Sequence, residues 1–219
     1  MNGILILLLL ILTAALPVII AYVWFRARKP AISAPWFLAS LAVGVIALVP
    51  AALIQNFLPS SGVLWPGQLL FGVFIRTALV EEASRYFTLI PLLETGNRRL
   101  KTDGTIFASL GFISGLGFAM VENAAYGIAD INLTLIRAFT AAPLHAACGT
   151  RAGEAVYIFR QHPIKSFLLF ISAVIIHGLY NLMILSPVLP SMLAIPIAYA
   201  ALFASFYFLR INDKNEEST

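Results

Sequence analysis

Charge is scarce in this chain. Only 11% of its 219 residues are Asp, Glu, Lys or Arg, against 60% hydrophobic residues. Soluble domains carry roughly 25% charged residues, so the composition excludes a water-soluble globular fold and points to an integral membrane protein. Cysteine is limited to Cys148, so no intramolecular disulfide can form. The helix signature HExxH is missing, which removes the zincin arrangement of two histidines one turn apart. No lysine lies deep in the last two apolar runs, as a retinal-type Schiff base would require. The N-terminal apolar run has no basic stretch before it and is longer than the apolar core of a signal peptide, so it reads as a retained span.

The net charge of +4 does not indicate a nucleic-acid surface, because most Lys and Arg fall in short breaks between apolar runs. Those runs are seven, at roughly 4–25, 35–57, 67–93, 105–128, 133–158, 165–185 and 190–209. Each is near the length of about 20 residues that a helix needs to cross a bilayer. Lipid leaves backbone groups no partner outside their own helix or a closed barrel, and these unalternating runs suit helices. The fold expected is therefore an all-α polytopic bundle of about seven transmembrane helices. Basic breaks at 26–29, 97–101, 160–165 and 210–214 alternate with loops free of Lys and Arg at 58–66, 128–132 and 186–191. The positive-inside rule then places the N-terminus outside and the C-terminus in the cytoplasm. One domain is expected over 1–211, with a polar cytoplasmic tail at 212–219 and no internal repeat. Gly111-Phe-Ile-Ser-Gly115 is a GxxxG pattern, which permits close helix contact.

The few charges inside the apolar runs are not scattered. Counting from the centre of each run at about 1.5 Å per residue puts Glu81, Glu82, His145 and His177 at one level, on three different helices. A second polar set, Arg76, Glu122, Asn123, Arg137 and Asn181, lies towards the outer side. Ionisable residues at such depth face a bundle interior or a water-filled cavity. The picture is a polar pocket at mid-membrane that opens outwards. Residues four apart share a helix face, so Glu81 is expected to stack with Arg85 and His177 with Asn181.

Each residue also has a structural reading. Glu81 and Glu82 can hold helices together by pairing with Arg85 or Arg76, but one ion pair does not need two adjacent carboxylates. Two carboxylates and two imidazoles at one depth suit a general base for water or a metal site. Zinc takes His and carboxylate ligands and, when catalytic, keeps one position for water. Glu122 reads equally as a ligand or as the partner of Arg76. Arg137 reads as an interfacial anchor snorkelling outwards, and Asn181 as an orienter of His177, an oxyanion donor or a packing residue. Cys148 is read as a core thiol, and Arg151 with Glu154 as a local ion pair.

Four segments resemble the PrsW-type intramembrane proteases, relatives of the CAAX-processing, Rce1-like (CPBP) enzymes. They are Val80-Glu-Glu-Ala-Ser-Arg-Tyr86, Gly117-Phe-Ala-Met-Val-Glu-Asn123, Arg137 through Pro143-Leu-His145, and His177-Gly-Leu-Tyr-Asn181. The resemblance spans the core motifs in 67–185 and implies an endopeptidase of a prokaryotic cell membrane. Its substrate would be a membrane protein or membrane-associated peptide, such as a single-span anti-sigma factor cut near the outer face. The resemblance implies catalytic roles for Glu81, Glu82, His145, His177 and Asn181, with His145, His177 and Glu122 as candidate ligands of a divalent metal such as zinc. Arg85, Asn123, Arg137 and Arg76 are expected in support. Two alternatives stay open: a metal-free glutamic protease of the CAAX type, and a non-catalytic proton-coupled carrier or scaffold using the same groups as a relay.

Overall fold

The computed structural model describes residues 3–29, 31–59, 65–99, 104–128 and 130–210. Among the described residues all regular structure is helical: α1 (Gly3–Arg28), α2 (Ala34–Phe57), α3 (Pro66–Leu70), a π-helical stretch (Phe71–Leu79), α4 (Val80–Arg99), α5 (Gly104–Gly127), α6 (Ile131–Phe139), α7 (Ala141–Ile158), α8 (Pro163–Leu185), a 3-10 turn (Ser191–Leu193) and α9 (Ala194–Arg210). The tail expected at 212–219 lies outside these residues, as does part of the basic breaks at 97–101 and 210–214. Proline marks several starts: Pro66 opens α3 and Pro163 opens α8, where its missing N–H costs nothing. At α6 the Asp130 side chain accepts from Asn132 N at 2.9 Å, a side-chain cap.

Among the described residues, five helices are long and apolar enough to cross a membrane: Leu8–Arg28, Ala34–Phe57, Gly104–Gly127, Pro163–Leu185 and Ser191–Leu209. The other two runs expected as spans, 67–93 and 133–158, carry most of the intramembrane charges and differ from the rest. The first is one unbroken helical path through α3, the π-helical stretch and α4. The second is broken at Thr140, where φ −122 and ψ −59 interrupt the helix. The cause is local, since Pro143 has no N–H to donate to the carbonyl four residues back and helices end before such a residue. His145 therefore sits near the start of α7 and not at the centre of a long helix.

The bundle exposes apolar side chains and holds its polar cluster within a mainly apolar core. Leu12, Ile46, Leu53, Leu168 and Phe203 are exposed, whereas Glu82, Arg85, His145 and His177 are each no more than 1% exposed. Helix α5 lies at the centre, with Gly104–Ala119 almost wholly buried. Its contact with α7 depends on glycine from both sides. A Cβ on Gly111 would overlap the Gly149 carbonyl, one on Gly115 the His145 carbonyl, and one on Gly153 the Phe107 carbonyl. The GxxxG of α5 is thus met by Gly149 and Gly153 on α7, which lets the two backbones touch. That contact fixes the height of His145.

Candidate active site

Six helices deliver the polar cluster. Glu81, Glu82 and Arg85 occupy the first turns of α4, directly after the nine-residue π-helical stretch Phe71–Leu79. Stretches of π-helix are rare and concentrate at functional sites. Glu122 and Asn123 come from the last turns of α5, His145 from the start of α7, and His177 from α8. Gln55 in the last turn of α2 and Arg137 on α6 complete the set.

The side chains form one chain of alternating acids and bases. Gln55 Nε2 donates to Glu81 Oε1 at 3.1 Å. Glu81 Oε2 lies 3.7 Å from His177 Nε2, and His177 Nδ1 is 2.7 Å from Glu82 Oε1. The other oxygen of Glu82 accepts from Arg85 Nη1 at 2.6 Å. Arg85 Nη2 donates to His145 Nδ1 at 3.0 Å, and His145 Nε2 meets Glu122 Oε2 at 2.8 Å. Arg137 closes the chain, with Nη2 2.9 Å from Glu122 and Nε donating to Asn123 Oδ1 at 3.0 Å. Phe118 is the apolar lid of this network. The Arg85 guanidinium lies 4.6 Å from its ring centroid, and its ring is 5.2 Å from that of His145. Arg137 stacks 4.0 Å over Tyr126, a cation–π contact.

Hydrogen-bond capacity fixes the tautomers. A guanidinium only donates, so His145 Nδ1 accepts and its N–H is at Nε2, facing Glu122. A carboxylate only accepts, so His177 carries an N–H at Nδ1, facing Glu82, while its Nε2 lies 3.7 Å from Glu81. Glu81 Oε2 is buried and has no hydrogen-bond partner. Such an orphaned acceptor is costly unless something occupies the space it faces.

Glu81, His145 and His177 can each offer one ligand atom, and these atoms lie within 4.8 Å of one another. The donor set is one that zinc accepts. Glu82 contacts His177 Nδ1 from behind, as a carboxylate that orients a metal-binding histidine would. Three carboxylates also face only two guanidiniums in the network, leaving a negative excess that favours a cation. The residues present therefore fit a divalent metal. One feature runs against it: both nitrogens of His145 are engaged, by Arg85 and by Glu122.

The sequence-predicted residues are mostly brought together, with different pairings. Arg85 pairs with Glu82, three residues back, and not with Glu81 as expected; both spacings lie on one helix face, and His177 draws Glu82 to the centre. Glu122 pairs with Arg137 and His145 and lies outside the metal-type group. Arg137 points inwards, its side chain only 16% exposed, and is no outward anchor. Arg76 is half-buried with its Nε unpartnered and takes no part in the network. Asn181 is half-buried one turn beyond His177 and bonds none of these groups. Arg151 donates to Ala147 O and Ser205 Oγ rather than to Glu154. Cys148 is a buried core thiol, as read from sequence.

Sequence reasoning missed Gln55, Phe118 and Tyr126. Gln55 had a signal, as a polar side chain within an apolar run; the two rings look like ordinary apolar packing. An apolar groove of about 410 Å³ runs between α2 and α4, lined by Pro50, Ile54, Val80, Ala83, Ser84 and Phe87 among others.

A buried Glu–His–His group thus lies inside a bundle of apolar helices. Residues 33–209 match the family described as PrsW family intramembrane metalloprotease, and the chain belongs to it. No curated protein and no solved structure matches the chain.

Proposed function

We propose that the chain hydrolyses a peptide bond within a membrane-protein substrate, and that Glu81 is the carboxylate that meets the reacting water. The observation that carries this is the difference between the adjacent glutamates. Glu82 has spent both oxygens on His177 and Arg85, whereas Glu81 keeps Oε2 buried and free beside His177 Nε2.

The residues that would hold a divalent metal are Glu81, His145 and His177. When bound, such an ion acidifies water and polarises the scissile carbonyl. Glu82 holds His177 in one tautomer, and Glu122 does the same for His145. Arg85 links the two halves by contacting both Glu82 and His145. The surrounding apolar helices exclude bulk water, which strengthens every electrostatic interaction inside. The fully engaged His145 supports a second reading, a glutamic protease in which the histidines orient groups and Glu81 Oε2 takes the proton from water itself.

The substrate class we propose is the apolar segment of another membrane protein, of the anti-sigma-factor type that the family resemblance implies, approaching along the α2–α4 groove. The charged helices 66–99 and 131–158 are proposed to cross the bilayer as well, since their charges face the bundle and not lipid. The active centre would then open to the outer side. Alanine at Glu81, His145 or His177 is expected to abolish cleavage by purified, folded protein. Cleavage that survives all three substitutions would remove the protease reading.

A further inference from the structure

The four motifs leave α2 out of the reaction centre, yet α2 supplies the partner of its reacting carboxylate. Gln55 Nε2 reaches across to Glu81 Oε1 at 3.1 Å, the single side-chain hydrogen bond to that glutamate among the described residues. No other polar side chain of α2 takes part: Ser40 donates to the Leu110 carbonyl, and Asn56 is exposed. The neighbours of Gln55 face outwards, with Ile54 46% and Phe57 89% exposed. An amide in so apolar a turn is costly without a partner, and Glu81 is the partner it has.

The contact has a consequence for chemistry. The terminal torsion of a glutamate is soft and roughly two-fold, so an unrestrained carboxylate presents either oxygen in any plane. One donor on Oε1 sets the plane and selects the oxygen. The oxygen left over, Oε2, is buried, unpartnered and 3.7 Å from His177 Nε2. On the far side, Glu82 fixes the ring of His177. The two groups that face each other are therefore each held from behind, one by Gln55 and the other by Glu82.

We propose that Gln55 is a positioning residue for the peptidase reaction: its amide holds the Glu81 carboxylate so that Oε2 faces the reacting water or the ion that carries it. This inference rests on the protease reading above and extends the working centre to a helix outside the four motifs. It also places the positioning group next to Ile54, which lines the α2–α4 groove, so a substrate segment lying there would touch the residue adjacent to the one that sets Glu81.

The test uses the full chain in detergent, with a fluorogenic peptide carrying an apolar membrane-spanning segment as the cleavage probe and cobalt(II) alone as the metal probe. Gln55→Leu keeps the volume and removes the donor; Gln55→Glu keeps the shape and replaces the donor with an acceptor. Losing an outer-shell partner costs about 10–100-fold. That loss is expected in kcat for Gln55→Leu, with KM little changed and the melting temperature retained, and Gln55→Glu is expected to fall at least as far. A shift of the cobalt d–d bands in Gln55→Leu would place Glu81 on the metal; unchanged bands with lowered kcat would make Glu81 the base, and both support positioning. Gln55→Leu with unchanged kcat overturns the inference, as does a loss of kcat matched by loss of folded protein in both variants. An unaltered chain that binds cobalt but cleaves nothing overturns the protease reading and this inference together. An active unaltered chain with an equally active Gln55→Leu overturns this inference alone.

Discussion

Glu82 Oε1 and His177 Nδ1 are 2.7 Å apart, and this contact ties α4 to α8 at the centre of the bundle. The same carboxylate holds Arg85 at 2.6 Å, so Glu82 is a junction with no free oxygen. Its neighbour Glu81 is turned by about 100° along the helix and meets a different set of groups: Gln55, and His177 from its other nitrogen. Adjacent residues of one kind thus have separate jobs.

Glu81→Gln and Glu82→Gln are expected to fail in different ways. The first removes the reacting oxygen, so cleavage should fall by about 10²–10⁴-fold, the range for a positioned acid or base, while the melting temperature holds. The second leaves the buried Arg85 without its charge partner, a loss of about 3–5 kcal/mol when such a pair is broken. Thermal unfolding run beside a cleavage assay separates them. Two equally stable and equally inactive variants would contradict the division of labour.

Glu122 and Arg137 are expected to be energetically coupled. They lie 2.9 Å apart with side chains 17% and 16% exposed, well shielded from solvent. A double-mutant cycle with Glu122→Gln and Arg137→Ala should give an interaction of about 0.5–3 kcal/mol, as for residues in one network. Glu122→Gln alone keeps an acceptor for His145 Nε2–H, so its activity should fall less than that of His145→Ala. Strict additivity in unfolding measurements would show that the ion pair contributes nothing.

Glycine substitutions test what holds His145 in place. A Cβ on Gly115 would overlap the His145 carbonyl, whereas one on Gly67 meets nothing within 4 Å. Gly115→Ala should cost about 1–3 kcal/mol, typical of overpacking, and should lower cleavage by displacing α7. Gly67→Ala should leave both near the unaltered values. Equal effects in melting and cleavage assays would show that the α5–α7 contact does not set the site.

The orientation can be read by thiol labelling. Cys148 is buried, so cysteines placed singly at Ser186 and Gln161 should report against a low background. A membrane-impermeant reagent applied from outside is expected to label position 186 and not 161. The reverse pattern would invert the bundle and place the site at the cytoplasmic face.

Much of this site could be read from residue depth. Counting along apolar runs brought Glu81, Glu82, His145 and His177 together, because charges in lipid have few places to go. The pairings were harder. Spacings of three and four both share a helix face, so Arg85 could not be assigned between Glu81 and Glu82 without knowing that His177 sits behind Glu82. The break at Thr140 has its cause in Pro143, which the sequence shows as a kink point within the run from 133 to 158. The π-helical stretch has no sequence signature of its own, and Gln55, though polar within an apolar run, carries no sign of its partner. Tertiary partners decided what local pattern left open.

The most direct measurement is the zinc content of purified protein, taken with its cleavage activity before and after chelation. Close to one zinc per chain is expected, with activity lost on chelation, restored by added zinc, and both zinc and activity absent from His177→Ala. Full activity in metal-stripped protein would contradict the metal centre of Glu81, His145 and His177 and leave the glutamic mechanism in its place.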